Sequence, residues 1–184
     1  PTLRNQIETF LSTVPNSRWV TYDPLSCSAI LDAHQRTHGV RWLPRYRFDQ
    51  AEVIVSVDAD FLGTWISPVE FTKAYSQGRS LEGTPPRCSW HLQIESRLSV
   101  TGAKADVRWP AAPWELGLIL THLADRIAQK AGVTWRAGAL EDVSLPTARL
   151  NELADRLWKA QGRSLVVCGV QDADIQSLVN FLNH

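Results

Sequence analysis

The chain has 184 residues, of which 44% are hydrophobic and 21% charged, and its formal net charge is zero. This balance suits one α/β domain with a packed core, and the neutral charge argues against a nucleic-acid-binding protein, which usually carries a basic surplus. No apolar run approaches 18 residues and no signal-peptide or lipidation motif stands out, so no transmembrane helix is predicted. The chain begins at Pro1 and contains no methionine. We therefore expect residues 1–184 to be a single domain cut from a longer polypeptide.

The first quarter of the chain alternates between helical and strand patterns. A helix that Pro15 terminates is predicted from an apolar face shared by four residues: Leu3, Ile7, Phe10 and Leu11. Residues 19–22 are aromatic and β-branched, which favours a short strand. Asp23 and Pro24 then suit the first positions of a second helix, which runs to His38 and stops at Gly39.

The middle of the chain contains the clearest strand. Residues 51–57 are β-branched and almost continuously apolar, which is typical of a strand buried in a parallel sheet. Ser67, Pro68 and Glu70 predict a helix with a capping box, ending near Gly78. Residues 90–95 alternate as a second strand.

The remaining elements continue the alternation. Helices are predicted over residues 114–131, after Pro146, and over residues 174–182, and residues 164–168 form a last strand. Longer loops are expected over residues 81–87 and 135–145, and the second of these is a candidate contact for a partner. Strands separated by helices of this length predict an α/β fold, a three-layer Rossmann-like domain with a mainly parallel sheet.

Ligands of doubly wound sheets bind beyond the carboxyl ends of the strands, and Asp58 and Asp60 follow the best strand. A carboxylate here can bind a ribose hydroxyl or, as a pair, a cation, but it can also belong to a polar turn that caps the strand. No GxGxxG or GxxxxGK[ST] motif is present, which disfavours a standard dinucleotide or P-loop site.

Ser99, Thr101 and Asp106 lie in the turn between residues 95 and 110, between a strand and a helix. Hydroxyls and a carboxylate in such a loop can hydrogen-bond a pterin or guanine edge. The alternative is that they cap and brace the loop itself.

Other candidate groups carry less chemistry. His34 and His38 have a zinc-compatible spacing, but no third ligand is evident and the pair suits the end of a helix, so no metal site is predicted. The three cysteines are far apart, which argues against an iron–sulfur cluster held by this chain alone. His91 follows Cys88 closely, but its place on a strand favours a half-buried polar residue over a catalytic one.

Three segments resemble the molybdopterin oxidoreductase superfamily. Residues 51–63, ending in Val-Asp-Ala-Asp-Phe-Leu-Gly, resemble a strand and loop of that family, residues 95–110 resemble its later cofactor-side turn, and residues 164–169 resemble a further strand. Within the superfamily, the resemblance is to the molybdopterin-enzyme-like part of the iron–sulfur subunit of bacterial alternative complex III, where the fold is kept and the molybdenum cofactor is thought to be absent.

This chain departs from the cofactor-binding members. They usually carry Gly-Ala-Asn in the first loop, where Asp58-Ala59-Asp60 stands here, and two carboxylates would repel the phosphates of a guanine-dinucleotide cofactor. Arg108 and Trp109 replace small apolar residues and are expected to fill the pocket. No residue can be identified as the metal ligand, so no catalytic residue is predicted.

The resemblance implies a non-catalytic domain of a respiratory, quinol-oxidising electron-transfer complex, and no catalysis by this chain alone. The domain would support iron–sulfur clusters and partner subunits at the periplasmic side of a bacterial inner membrane, peripherally and without a span of its own; a cytoplasmic location is the alternative. In a second hypothesis the chain is part of an active molybdenum or tungsten oxidoreductase, and Asp60, Ser99, Thr101 and Asp106 contact molybdopterin guanine dinucleotide. A third is a free-standing nucleotide-binding module.

Overall fold

The computed structural model describes residues 2–22, 26–82, 86–134 and 140–184. A 3-10 turn at Pro113–Glu115 precedes the fifth helix. The α-helices of the described chain are α1 Thr2–Thr13, α2 Ser28–His38, α3 Pro68–Gln77, α4 Val100–Lys104, α5 Leu116–Ala131, α6 Thr147–Lys159 and α7 Ala173–Asn183. Its strands are β1 Val53–Val57, β2 Trp90–Glu95, β3 Val107–Pro110 and β4 Ser164–Cys168.

The strands form one parallel sheet in the order β3-β2-β1-β4. The carboxyl ends of the two inner strands and of β4 are level, because Val57 pairs with Ile94 on one side and with Cys168 on the other. Successive parallel strands require crossovers, and helices cover both faces of the sheet. The predicted α/β, Rossmann-like fold with a parallel sheet is therefore confirmed.

Two hydrophobic cores hold the layers together, one on each face of the sheet. On one face, Val55 and Leu92 pack with fully buried residues of α5 and α6 such as Leu120 and Leu153. The core on the other face is rich in aromatic residues: Phe48, Phe61, Trp65, Phe71 and Tyr75. This second core lies under α3 and includes Ile54 of β1. Burial on both faces explains why β1 is continuously apolar.

Two local predictions near the N-terminus are corrected, and a third is confirmed. Residues 19–22 form no strand, since their aromatic and β-branched side chains have no neighbouring strand with which to pair. Asp23 and Pro24 lie outside the described residues, but Ser26 and Cys27 are not helical, so α2 begins later than predicted. It ends at His38 as expected, with Gly39 in the left-handed conformation.

The capping box predicted at the start of α3 does not form. Ser67 occupies the N-cap position and Pro68 the first turn, but the Ser67 hydroxyl accepts no capping hydrogen bond. Glu70 instead accepts a 3.0 Å hydrogen bond from Nε of Arg45. The helix itself begins and ends as predicted, at Pro68 and before Gly78.

The turn predicted over residues 95–110 contains two regular elements, α4 and β3. The chain leaves β2 at the carboxyl edge of the sheet, returns through the single turn of α4, and enters β3 from the amino edge. This crossover leaves Ser99 near the carboxyl end of β2 and places Asp106, just before β3, near the amino end of β2 beside His91.

The outer edge of β4 is covered by a side chain of α7. Asn183 accepts a 2.9 Å hydrogen bond from the Val166 amide and donates a 2.8 Å hydrogen bond to the Val166 carbonyl, so its amide pairs with β4 as a neighbouring strand would. No helix of the described residues is long and apolar enough to cross a membrane.

Replacing Asn183 with alanine should therefore destabilise the fold. The substitution leaves the amide and carbonyl of the fully buried Val166 without partners, and each costs about 1–3 kcal/mol. We expect a loss of about 2–4 kcal/mol in the free energy of unfolding, measured by urea denaturation. The matched control is Asn180→Ala, on the same helix as Asn183, which removes one hydrogen bond to Thr37 of α2 and should cost about 1 kcal/mol. Equal losses in the two variants would contradict this role of Asn183.

Candidate functional site

A pocket of about 590 Å³ lies over the carboxyl ends of the strands. The strand order reverses between β1 and β4, because the chain runs outward from β1 to β3 and then returns to the other side. Doubly wound sheets bind their ligands at such a point. The loops after β1, β2 and β4 all line this switch-point pocket, with Asp58, Glu95 and Gly169 among the lining residues. It is the candidate functional site.

Backbone hydrogen bonds from the residues that follow β1 and β4 hold the floor of the switch-point pocket. Gly169 donates a 2.9 Å hydrogen bond to the Val57 carbonyl, and Asp58 donates a 2.8 Å hydrogen bond to the Ile94 carbonyl. A Cβ atom on Gly169 would lie 2.1 Å from the carbonyl oxygen of Asp58, so only glycine allows this approach. Asp58 adopts φ 51°, a left-handed conformation that aspartate tolerates better than most residues. The backbone beneath the pocket is therefore closely fixed.

Asp60 and Thr101, both predicted as cofactor-binding residues, bind each other. Oδ1 of Asp60 accepts hydrogen bonds from the Thr101 amide at 3.0 Å and from the Thr101 hydroxyl at 2.8 Å. The same hydroxyl accepts a 2.9 Å hydrogen bond from the Leu62 amide. Thr101 is completely buried. This pair ties the loop after β1 to the first turn of α4.

Ser99, the third predicted residue, is bound to Glu95 and caps α4. Its hydroxyl donates a 2.6 Å hydrogen bond to Oε2 of Glu95 and accepts a 2.9 Å hydrogen bond from the Gly102 amide. The Ser99 amide donates to Oε1 of Glu95 at 3.1 Å. Both hydrogen-bonding functions of the hydroxyl are thus used within the protein.

Glu95 is a buried carboxylate with a full set of donors. Besides the two hydrogen bonds from Ser99, it accepts one from Nε2 of Gln93 at 3.1 Å and one from Nε of Arg108 at 2.6 Å. Burial alone would raise the pKa of Glu95 and is the largest single effect, but the hydrogen bonds together outweigh it and hold the pKa below its ordinary value. Glu95 is therefore ionised and fully paired at neutral pH.

The expectation that Arg108 and Trp109 fill the pocket is wrong. Arg108 reaches Glu95 from β3 and is absent from the pocket lining. Trp109, the next residue along the strand, points to the other face and packs in the core with α5 and α6. The alternation of side chains along a strand explains this separation.

Asp106, the fourth predicted residue, lies at the opposite edge of the sheet. It accepts two hydrogen bonds from the Arg79 guanidinium, at 2.9 and 2.7 Å, and a third from the His91 amide at 2.8 Å. Hydrogen bonding from Arg79 holds the pKa of Asp106 below its ordinary value. Arg79 also donates to the Ser89 carbonyl. The structure thus brings Asp60, Ser99 and Thr101 together and places Asp106 in a separate ion pair that joins the starts of β2 and β3.

His91 is completely buried rather than half buried. It lies on the same face of β2 as Gln93 and Glu95, and all three of these polar residues are buried. Nδ1 of His91 lies 3.1 Å from the Tyr75 hydroxyl, and this hydroxyl donates to the Lys104 carbonyl at 3.3 Å. Burial lowers the pKa of His91 to about 4, so this imidazole is neutral at physiological pH.

The remaining candidates form no metal site within the described residues. The His34 and His38 rings stack on each other with centroids 4.9 Å apart. Cys88 and Cys168 are free thiols, and Cys27 lines the switch-point pocket. No group of three or more histidine, cysteine, aspartate or glutamate residues in the described chain is arranged to hold a metal ion.

Two important residues of the site, Glu95 and Gly169, are not predicted from the sequence pattern. Each directly ends or follows a strand, which is the position where doubly wound folds place functional residues. That signal, applied to β2 and β4 as well as to β1, identifies both.

The strand order, the helices on both faces and the switch-point pocket define an α/β protein of the doubly wound, Rossmann-like class. No model of a known protein family matches the chain. No curated protein matches it either. The function is therefore inferred from the site itself.

The buried state of His91 predicts a pH dependence of stability. The pKa of His91 is lowered from 6.5 in the unfolded chain to about 4 in the folded one, so the unfolded chain binds more protons between these values. The contribution of neutral His91 to the free energy of unfolding is fully present above pH 6.5 and is lost as the pH falls towards 4. We expect the free energy of unfolding to fall by about 3 kcal/mol across this window, measured by urea denaturation at stepped pH.

In the variant His91→Gln, the free energy of unfolding should change little with pH above pH 4.5. Protonation of Glu95 and Asp106, whose pKa values are lowered in the folded chain, affects stability only below this pH. His34→Gln, which removes a less buried imidazole, is the control and should retain most of the slope. A wild-type slope in His91→Gln would show that another group titrates.

Proposed function

We propose that this chain is a non-catalytic, molybdopterin-oxidoreductase-like domain of a respiratory, quinol-oxidising electron-transfer complex, and that it serves as structural support for iron–sulfur and partner subunits. One observation carries the proposal. The polar side chains at the carboxyl edge that could hold a cofactor are already hydrogen-bonded within the protein, since Asp60 binds Thr101 and Ser99 binds Glu95.

These internal hydrogen bonds compete directly with ligand binding. A hydroxyl has one proton to donate, and the hydroxyls of both Ser99 and Thr101 donate theirs to buried or partly buried carboxylates. Releasing them to a cofactor would leave Glu95 or Asp60 short of a donor in a site of low polarity, which costs more than an ordinary hydrogen bond returns. Bracing of the loops is thus the role that these residues already fill.

The charges of the pocket also fit a pterin guanine dinucleotide poorly. That cofactor carries a diphosphate, which requires cationic side chains or clustered backbone amides. The described lining contains three carboxylates, Asp58, Asp60 and Glu95, and one cationic side chain, Arg97. We therefore derive no chemical step through such a cofactor, and the chain's contribution to electron transfer is to hold its neighbours in place.

Exposed aromatic side chains supply contacts of the kind that a supporting domain needs. Trp42, Tyr22 and Trp114 are each more than 70% exposed. Tryptophan and tyrosine are enriched at protein–protein interfaces, where they contribute much of the binding energy. We propose that they contact other domains of the same subunit and other subunits of a membrane-associated complex, at the periplasmic side of a bacterial inner membrane.

Elemental analysis of the native full-length protein that contains this chain tests the proposal. We expect iron, from clusters held elsewhere, without stoichiometric molybdenum or tungsten, because the carboxyl-edge loops hold no pterin. The control is a molybdenum enzyme purified from the same cells, which shows that the cofactor is available. Stoichiometric molybdenum or tungsten together with a released pterin would overturn the proposal and favour an active oxidoreductase.

A further inference from the structure

Two buried polar atoms on neighbouring side chains of β2 lack ordinary hydrogen bonds. Nε2 of His91 and Oε1 of Gln93 make none of normal length and angle with the described residues, although both residues are completely buried. The two side chains are neighbours, because residues two apart on a strand lie on the same face. Burial lowers the pKa of His91, and the Gln93 side chain opposes that effect as a nearby acceptor. Since unpartnered buried groups are uncommon, we take each atom as the complement of the other.

Glu95 fixes the orientation of the Gln93 amide. Nε2 of Gln93 donates a 3.1 Å hydrogen bond to Oε2 of Glu95. Burial alone would raise the pKa of Glu95, but its hydrogen bonds hold the pKa below the ordinary value, so the carboxylate is ionised and can only accept. The amide nitrogen of Gln93 must therefore face Glu95, and the amide oxygen faces His91.

The orientation of Gln93 in turn selects the tautomer of His91. A neutral imidazole has one N–H and one bare nitrogen. Nε2 must carry the proton if it is to donate to Oε1 of Gln93, so Nδ1 is bare and requires a donor. The Tyr75 hydroxyl, 3.1 Å away, supplies that donor. Its contact with the Lys104 carbonyl at 3.3 Å is then the longer branch of a three-centre hydrogen bond.

The other charged groups that face His91 do not bind its ring. Asp106 accepts a hydrogen bond from the His91 backbone amide, and its carboxylate is paired with Arg79. The Phe61 ring packs against the imidazole with centroids 5.3 Å apart and offers no conventional donor or acceptor. Among the described residues, Gln93 and Tyr75 are thus the hydrogen-bonding neighbours of the two ring nitrogens.

The same side chains can also pair in the opposite direction. If Glu95 gains a proton from solvent, its O–H donates to Oε1 of a reversed Gln93 amide, whose Nε2 donates to a bare Nε2 of His91. The imidazole proton is then on Nδ1 and is donated to the Tyr75 oxygen. The Tyr75 hydroxyl donates fully to the Lys104 carbonyl. Every donor in this buried row has an acceptor in both arrangements, so the row has two well-paired states.

We propose that the charge of Glu95 sets the direction of this hydrogen-bond row, with the His91 proton on Nε2 while Glu95 is ionised and on Nδ1 when Glu95 is neutral. Glu95 lines the switch-point pocket, and Lys104 is the last residue of α4. A change of protonation at the pocket wall is thereby transmitted along the buried face of β2 to the end of α4. The inference goes beyond the proposed function and does not depend on it.

NMR of the ¹⁵N-labelled whole chain at neutral pH tests the inference, because the ¹⁵N chemical shift distinguishes a protonated ring nitrogen from a bare one. The signals of His91 are assigned by their loss in His91→Gln. We expect the wild type to carry the proton on Nε2. In Glu95→Gln the neutral amide can donate where the carboxylate only accepts, so we expect most molecules to carry the proton on Nδ1.

Two further variants separate the row from its surroundings. Gln93→Leu removes the acceptor for Nε2 and should also move the proton to Nδ1, which keeps the decision independent of whether Glu95→Gln folds. Asp60→Asn is the matched control, since it removes a carboxylate that lines the same pocket outside the row, and it should leave the proton on Nε2.

Three results would overturn the inference. One is a wild-type His91 with its proton on Nδ1, and the second is an unchanged tautomer in folded Glu95→Gln or Gln93→Leu. The third is a change of tautomer in Asp60→Asn as large as that in Glu95→Gln, since the general charge of the pocket would then be responsible. None of these results bears on the metal content of the native protein, which tests the proposed function separately.

Discussion

The ion pair and hydrogen bonds of Glu95 are the constraint around which the carboxyl edge of the sheet is arranged. A buried carboxylate is costly unless donors surround it, and this one has four hydrogen bonds from three residues: Gln93, Ser99 and Arg108. Gly102 must lack a side chain, because a Cβ atom there would lie 2.0 Å from Oε1 of Glu95. The Glu95 carboxylate thus holds Ser99 at the start of α4, binds Arg108 of β3 and lines the switch-point pocket.

The same arrangement connects structure to function. Once Glu95 holds Ser99, α4 is capped, and Thr101 on its first turn is positioned to meet Asp60 on the loop after β1. Three polar side chains nearest the strand ends, Asp60, Ser99 and Thr101, are then bound within the protein. A domain that supports its neighbours is consistent with this arrangement.

Much of the fold follows from sequence patterns because strand and helix signals are local. The β-branched run of β1 and the spaced leucines of α5 predict their elements well. β3 is not predicted, since its four residues include Arg108 and Pro110 and become a strand only by pairing with β2. The opposite failure occurs at residues 19–22, where a strand-like pattern finds no partner. Pairing between distant segments decides both cases.

The candidate site is predictable only in part, for the same reason. Asp60, Ser99 and Thr101 meet because the carboxyl ends of parallel strands share one edge. Asp106 is close to them in sequence but is carried to the other edge by the crossover through α4. Glu95 resembles an ordinary strand-end residue until the arrangement of its donors is known.

A double-mutant cycle between Asp60 and Thr101 tests the central claim most directly. The free energy of unfolding would be measured for Asp60→Ala, Thr101→Val and the double variant of the chain without any cofactor. We predict a coupling of about 1–3 kcal/mol, because each residue stabilises the fold through the other. Asp60→Ala combined with Asp155→Ala, an exposed residue of α6, should show additive losses. Negligible single losses and no coupling between Asp60 and Thr101 would contradict the account, since the two side chains would then be free to bind a ligand.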